Sequence, residues 1–172
     1  VKLYRSHGRA SSDYFESSES GDYVDLGTNI RMSDLTAALG HSQFDRIDEL
    51  INGRRQAANE LNDRFADVDG VRPHTPPEAG THVYQLYTIE LAEGISRNHV
   101  IETLEKDNIA SKVYWDPAAH ETEYYTRTKN ESPELPVTED IASRVLSLPM
   151  HPNLSTTEIE RIADAVIKAL DE

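Results

Sequence analysis

The longest regular pattern of apolar and polar residues lies in residues 33–69. Apolar side chains recur there three or four positions apart, as on one face of an α-helix. The members of this stripe are Leu35, Ala38, Leu39, Ile47, Leu50, Ile51, Ala58, Leu61, Phe65 and Val68. Ser33 is a suitable N-cap residue, and Gly70 with the prolines that follow ends the pattern. We therefore predict one long connecting helix, in which Gly40 and Gly53 mark either a bend or the close approach of another backbone.

Shorter patterns in residues 70–172 predict three strands. Residues 82–91 are rich in β-branched and aromatic side chains, and large apolar residues occupy every second position at the end of this segment. Residues 109–115 have a similar composition. Residues 146–149 are long enough for a short edge strand. The order of elements favours a small sheet covered by helices.

Serine and threonine residues predict the starts of the remaining helices. Ser96 precedes an apolar stripe at Val100, Ile101 and Leu104, and Thr138 precedes another apolar stripe. Ser155 and the glutamate three positions later form a capping box before the last helix. Residues 117–136 are polar and rich in charge and tyrosine, which predicts a long loop.

Residues 1–32 show no clear period and contain several glycines and a serine-rich stretch, which is typical of an arm or loop. The predicted domains are thus this arm, the helix over 33–69 and a small C-terminal α/β domain over 70–172. The predicted fold class is α/β, built as an α+β two-layer sandwich with a small, mainly antiparallel sheet.

Charge limits the classes of partner. The chain has 31 acidic and 17 basic residues, a net charge of -14, and no cysteine. Nucleic-acid binding is not expected because it needs basic surface, and no apolar run is long enough to cross a membrane. The scattered acidic residues favour a salt-loving source, and a cytoplasmic protein is the default expectation.

Residue chemistry alone indicates no catalytic site. No phosphate-binding glycine loop or paired-histidine metal motif is present. His120, Glu121 and Glu123 are close in sequence, but their spacing fits no common metal site, and we predict none.

Three segments nevertheless form a specific pattern. Residues 5–8 are Arg-Ser-His-Gly, and residues 26–40 contain Gly-Thr-Asn-Ile-Arg-Met-Ser followed by Ala-Ala-Leu-Gly. Residues 135–155 begin with Leu-Pro-Val-Thr-Glu and end with Leu-Ser-Leu-Pro-Met-His-Pro-Asn-Leu-Ser. In this order they resemble the C-terminal portion of the DegT/DnrJ/StrS family of nucleotide-sugar aminotransferases. The resemblance covers nearly the whole chain.

The resemblance implies the type I fold of enzymes that depend on pyridoxal 5'-phosphate (PLP), with a homodimer and active sites at its subunit interface. Such enzymes transfer an amino group from an amino-acid donor to a keto sugar linked to a nucleotide. In the family the lysine that binds PLP lies about thirty residues before the Arg-Ser-His-Gly segment, and the lysines of this chain do not match it. The expectation is a chain with no catalytic residue, inactive alone and without bound PLP.

The resemblance also implies two binding residues near the start. Asn29 matches an asparagine that reaches the PLP phosphate of the partner subunit, and an amide donor suits a phosphate oxygen. Arg31 matches an arginine that meets the diphosphate of the sugar nucleotide. Without the resemblance, a turn-forming asparagine and an arginine paired with an acid would be the simpler interpretations.

A second candidate site follows from residues 113–120, which resemble the family segment Val-His-Tyr/Phe-x-Pro-x-x-His near the sugar. Trp115, His120 and Tyr124 are its predicted substrate-binding residues. Trp115 replaces the usual tyrosine or phenylalanine and is able to stack on a sugar or base. The alternative is a buried aromatic residue at a strand end.

Two alternative functions remain open. A few members of the family replace the lysine with histidine and remove a hydroxyl from the sugar, so the chain is also compatible with part of a PLP-dependent dehydratase. The other alternative is a non-catalytic dimerisation or ligand-binding module. The apolar face around Leu35, Ala38 and Leu39 predicts a dimer or higher assembly.

Overall fold

The computed structural model describes residues 1–9, 22–77, 80–129 and 133–171, and these fall into two compact units, Val1–Ile47 and Asp48–Glu172. The serine-rich stretch of the predicted arm lies outside the described residues. None of the helices that these residues form has the length and apolar character needed to cross a bilayer.

Within its described residues, the first unit contains two helices, α1 (Lys2–Arg5) and α2 (Asp34–Phe44). Ser33 caps α2 as predicted, because its side chain accepts a hydrogen bond from the backbone N–H of Thr36 at 3.3 Å. Helix α2 has no buried residue, and Leu35 is 84% exposed. Its apolar face is therefore uncovered in the described chain, as the sequence indicates.

The long helix predicted over residues 33–69 is divided in two. Helix α2 ends at Phe44 and α3 (Ile47–Phe65) begins after a turn at Asp45 and Arg46. The apolar stripe changes phase at this point. At about 100° per residue, Ile47 and Phe65 point in the same direction, whereas Leu39 and Ile47 differ by about 80°. One apolar stripe can span a difference of this size, so the shift is compatible with a break between the two helices but does not require one.

Within the described residues of the second unit, one antiparallel sheet has the strand order β1 (Val71–Pro73), β2 (Tyr87–Leu91) and β3 (Val145–Leu148). The central strand β2 and the edge strand β3 confirm two predicted strands, and the sequence pattern missed β1. The strand predicted at residues 109–115 is wrong. That segment forms a single bridge, between Lys112 and Ser147.

One hydrophobic core combines the sheet with helices α3, α4 (Arg97–Lys106) and α7 (Thr156–Asp171). The largest fully buried side chains are Tyr87, Phe65, Leu61, Ile89, Leu91, Leu104, Leu146, Ile159, Val100 and Val166. Burial of each such side chain contributes about 1.5–3 kcal/mol to folding. This arrangement of helices on a small antiparallel sheet confirms the predicted fold class.

Helix caps and one close approach confirm further sequence features of the second unit. Ser96 caps α4, and Ser155 and Glu158 exchange hydrogen bonds at the start of α7. Gly53 marks a close backbone approach, because a Cβ there would lie 2.3 Å from the carbonyl oxygen of Pro152. Among the residues that the structure describes, no such neighbour lies within 4 Å of a Cβ built at Gly40, which belongs to the first unit.

The long loop predicted over residues 117–136 is wrong for its described part. Ala119–Glu121 forms a 3₁₀ turn and Glu123–Lys129 forms helix α5. Helix α6 (Pro136–Arg144) then starts at proline, with Leu135 rather than Thr138 as its N-cap. Proline suits the first helical position because its missing N–H would have no partner there.

Candidate functional site

Backbone pairing in the first unit brings the Arg-Ser-His-Gly segment beside Asn29. Ser6 and Asn29 form an antiparallel bridge. The N–H of Thr28 donates to the carbonyl oxygen of Tyr4 at 2.8 Å, and the N–H of His7 donates to that of Thr28 at 3.2 Å. Two of the recognised sequence segments therefore lie side by side and fix the position of Asn29.

Gly8 explains why the first segment ends in glycine. Its φ of +75° lies in the left-handed region, and a Cβ would be 1.7 Å from the carbonyl oxygen of Asp25. Gly27 has a similar role, since its Cβ would lie 2.3 Å from the backbone nitrogen of Gly8. At both glycines two segments of backbone pass so close together that no side chain fits between them.

Asn29 and Arg31 are in direct contact, so the structure brings these two predicted residues together. The Nε–H of Arg31 donates to Asn29 Oδ1 at 3.2 Å, and both residues are exposed. The amide oxygen is thereby engaged, and the amino group remains as the hydrogen-bond donor of the Asn29 side chain. The neutral amide N–H of Asn29 and the charged guanidinium of Arg31 are both groups that can donate hydrogen bonds to phosphate oxygens.

Trp115 lies at the rim of an open cleft in the second unit. The cleft has a volume of about 470 Å³. Its described lining consists of His74, Thr88, Tyr114, Trp115, Ala118, Ala119, Val137, Thr138, Ile141, Ala142 and Val145. Trp115 is 73% exposed and meets the ring of Tyr114 edge to face, with ring centroids 5.2 Å apart. The alternative of a buried aromatic residue at a strand end is therefore wrong.

His120 and Tyr124 are placed differently from Trp115. His120 is 6% exposed, and its Nε2 lies 3.0 Å from Glu139 Oε1. Tyr124 is 70% exposed on α5. The described cleft lining includes Trp115 but neither of these two residues. The three predicted sugar-side residues thus occupy three different environments.

Two charged residues that support the cleft were missed by sequence reasoning. Arg97 forms an ion pair with Asp116 and donates to the carbonyl oxygen of Ala142 at 2.6 Å. Glu139 accepts from the backbone N–H of Leu135 at 2.8 Å as well as facing His120. An arginine at the first position of a helix is unfavourable to the helix dipole, which is the signal that could have identified Arg97.

Glu90, on β2, is the centre of a second charged cluster, beside the cleft residue His74. Its carboxylate pairs with Arg72 and with Arg144 Nη1, the latter at 2.8 Å, and lies 3.4 Å from His74 Nε2. Burial raises the pKa of Glu90, but hydrogen bonds from Arg144, Arg72 and His74 outweigh it and lower the pKa below its ordinary value. The carboxylate is thus held ionised. The described residues contain no group of three acidic or histidine side chains that could hold a metal ion.

Comparison with known proteins matches residues 1–167 to the DegT/DnrJ/EryC1/StrS aminotransferase family. The chain is 31% identical to a dTDP-4-dehydro-2,3,6-trideoxy-D-glucose 4-aminotransferase from Saccharopolyspora spinosa, with 96% of this chain and 43% of that protein aligned. It is 30% identical to a UDP-4-amino-4,6-dideoxy-N-acetyl-beta-L-altrosamine transaminase from Helicobacter pylori, covering 99% of this chain and 44% of that one.

A solved structure agrees with these sequence relatives. The Helicobacter pylori aminotransferase PseC, involved in the biosynthesis of pseudoaminic acid, superposes with a TM-score of 0.85 at 29% identity, over 99% of this chain and 45% of that chain. The chain therefore spans less than half the length of the relatives it matches, as the resemblance to a C-terminal portion predicts. It belongs to the DegT/DnrJ/EryC1/StrS aminotransferase family.

Proposed function

We propose that this chain is part of a PLP-dependent aminotransferase that transfers an amino group to a keto sugar linked to a nucleotide. The observation that carries the proposal is the contact between Asn29 and Arg31, held by the backbone pairing of residues 5–8 with residues 25–29. The relatives named above, whose names specify sugar nucleotides as substrates, support it.

Asn29 is assigned to the phosphate of PLP in the active site of a partner subunit. Its donor set fits that group, because Arg31 engages the amide oxygen and the amide N–H groups are able to donate to phosphate oxygens. When bound, PLP supplies an electron sink for the transfer of the amino group. Arg31 contributes a permanent positive charge for the diphosphate of the sugar nucleotide.

Trp115, His120 and Tyr124 are assigned to the sugar side. Trp115 is the strongest of the three, because its exposed ring borders a cleft whose walls are mostly apolar. An indole stacks well on the apolar face of a sugar ring. Tyr124 is exposed and offers a hydroxyl, whereas the buried ring of His120 supports an indirect role.

Assembly as a homodimer is part of the proposal. Several apolar side chains of the first unit are more than half exposed, namely Leu26, Ile30, Met32, Leu35, Leu39 and Phe44. Such a concentration of exposed apolar surface is typical of a face that another protein surface covers. The net charge of -14 supports a salt-rich cytoplasm as the working environment.

The proposal is tested in the complete enzyme that contains this chain, supplied with PLP, glutamate and a UDP- or dTDP-linked 4-keto sugar. Asn29→Ala removes hydrogen bonds to a charged group and is expected to raise the dissociation constant of PLP by about tenfold. Arg31→Ala is expected to raise KM for the nucleotide sugar by tenfold or more, with a smaller change in kcat. Visible absorbance measures PLP binding, and mass spectrometry identifies the amino sugar.

Matched controls are Asn52→Ala and Arg127→Ala, which remove the same side chains from exposed positions. Both are expected to leave PLP binding and KM unchanged. A complete enzyme without PLP absorbance would contradict the proposal. A product that has lost a hydroxyl without gaining nitrogen would assign the dehydratase reaction instead.

A further inference from the structure

The segment that carries Trp115 has little regular structure of its own. Between the bridge at Lys112 and the 3₁₀ turn at Ala119–Glu121, residues 113–118 form no helix or strand. Trp115 is 73% exposed, so burial of its own ring does not fix its direction. The orientation of the indole must therefore depend on the residues on either side of it, which we call the aromatic segment (residues 114–118).

Arg97 anchors the first part of the aromatic segment. Its Nη2 pairs with Asp116, the residue after Trp115, while Nη1 donates to the carbonyl oxygens of Ala142 at 2.6 Å and Val145 at 3.5 Å. The Arg97 side chain is only 15% exposed. One guanidinium therefore ties the aromatic segment to the C-terminal end of α6, and charge-assisted bonds of this kind are directional.

His120 anchors the other end. Its buried ring places Nε2 3.0 Å from Oε1 of Glu139, and the same oxygen accepts the backbone N–H of Leu135 at 2.8 Å. Glu121 adds a local contact, since its Oε2 accepts the backbone N–H of Ala118 at 3.0 Å. The contact between His120 and Glu139 ties the 3₁₀ turn to the first turn of α6, at the opposite end of that helix from the Arg97 anchor.

The cleft lies between these two anchors. Ala118 and Ala119 line it from the loop side, and Val137, Thr138 and Ile141 line it from α6. Both anchors therefore determine how far the aromatic segment stands from α6, and with it the width of the cleft and the position of Trp115.

We propose that Arg97 and His120 are positioning residues that hold Trp115 at the rim of the cleft, and that His120 acts through Glu139 without touching the sugar. This inference rests on the proposed function for the part that concerns sugar binding. Its benefit is pre-organisation: a ring already held in place loses less conformational freedom when a ligand binds.

The test uses Trp115 as its own reporter, because it is the only tryptophan in the chain. Fluorescence anisotropy of the free chain measures the mobility of the indole without any ligand. Arg97→Met and His120→Leu are expected to lower the anisotropy, whereas His120→Gln is expected to restore it because its amide N–H can donate to Glu139. Asp116→Asn weakens the same Arg97 anchor more mildly, because it removes only the charge of the partner carboxylate. Circular dichroism with urea unfolding verifies that each variant folds.

Binding of dTDP-glucose forms a separate arm, measured with the same substitutions in the complete enzyme that contains this chain. Where an anchor is lost, the dissociation constant is expected to rise between about twofold and tenfold. Unchanged anisotropy in folded Arg97→Met, Asp116→Asn and His120→Leu would overturn the inference. If His120→Gln kept the anisotropy but weakened binding as much as His120→Leu, His120 would be a direct sugar contact and its assignment here would be wrong.

The two arms separate the inference from the proposed function. If dTDP-glucose does not bind even the unaltered complete enzyme, that result counts against the sugar-side assignment of the cleft. A fall in anisotropy in the anchor variants would still support the positioning of Trp115 by Arg97 and His120.

Discussion

The two units of the chain are built in different ways. In Val1–Ile47, Gly8 is the one buried residue among those that the structure describes, and the unit is held by backbone hydrogen bonds around the glycine crossings. In Asp48–Glu172, a core of aliphatic and aromatic side chains joins the sheet to three helices. The first unit carries the pair proposed to meet phosphate, and the second carries the cleft.

This difference indicates where each unit obtains its stability. A unit with a core has its own hydrophobic driving force, whereas one with almost no buried side chains depends on local hydrogen bonds and on surface that another part of the protein covers. The second unit should therefore dominate cooperative unfolding of this chain, and substitutions in the first should have local effects.

Leucine truncation tests this contrast with the largest expected effect. Leu61 is fully buried on α3, and Leu61→Ala is expected to lower the free energy of unfolding by about 3–4 kcal/mol through lost burial and a new cavity. Leu35 is 84% exposed on α2, and Leu35→Ala is expected to change it by less than about 0.5 kcal/mol. Urea unfolding of the chain, followed by circular dichroism, measures both. Equal losses from the two substitutions would show that the first unit is part of the same core.

Ionic clusters give a second contrast, of intermediate size. Glu90→Gln removes the charge of a buried carboxylate that pairs with the mostly covered Arg144 and the exposed Arg72. It is expected to lower the free energy of unfolding at pH 7 by about 2–3 kcal/mol. Asp45→Asn breaks the exposed pair of Asp45 with His41 in the first unit and is expected to cost less than about 0.5 kcal/mol.

The pH dependence of Glu90 sharpens this contrast. Because its folded pKa is lowered, its stabilising effect is present above the ordinary pKa of 4.5 and is lost as the pH falls through the lower folded value. Unfolding free energy measured from pH 7 down to pH 3 should therefore fall more steeply for the unaltered chain than for Glu90→Gln. Parallel curves would mean that Glu90 titrates alike in the folded and unfolded states.

Helices were predicted best, because their apolar stripes and N-cap residues are signals that lie within a few neighbouring positions. The stripes of α4 and α7 and the caps at Ser33, Ser96 and Ser155 follow from spacing that any helix must obey. The prediction of a strand at residues 109–115 was wrong because β propensity alone does not provide a neighbouring strand to pair with. In the structure this segment forms a single bridge, at Lys112. Division of the long helix was only weakly indicated, since Leu39 and Ile47 differ by about 80° in direction, which one apolar stripe can span.

Site residues were predictable by family pattern, but their contacts were not. Asn29 and Arg31 are two positions apart, so their proximity follows from sequence, whereas the bond between His120 and Glu139 joins residues nineteen positions apart through a turn and two helices. Sequence pattern gave His120 the same role as Trp115, and only burial distinguishes them. Arg97 was missed because its partners, Asp116 and Ala142, come from other elements.

The helix caps give the smallest effect and the closest comparison, because the same substitution can be made in both units. Ser155→Ala removes a capping box from α7, whose buried face belongs to the core, and is expected to lower the free energy of unfolding by about 1 kcal/mol. Ser33→Ala removes a simpler side-chain cap, with one backbone N–H donor, from α2, which has no buried residue. It should lower local helicity, measured as faster amide hydrogen exchange at Thr36 and Ala37, and leave the urea midpoint unchanged. A shift of the midpoint by Ser33→Ala as large as that by Ser155→Ala would mean that α2 unfolds together with the core.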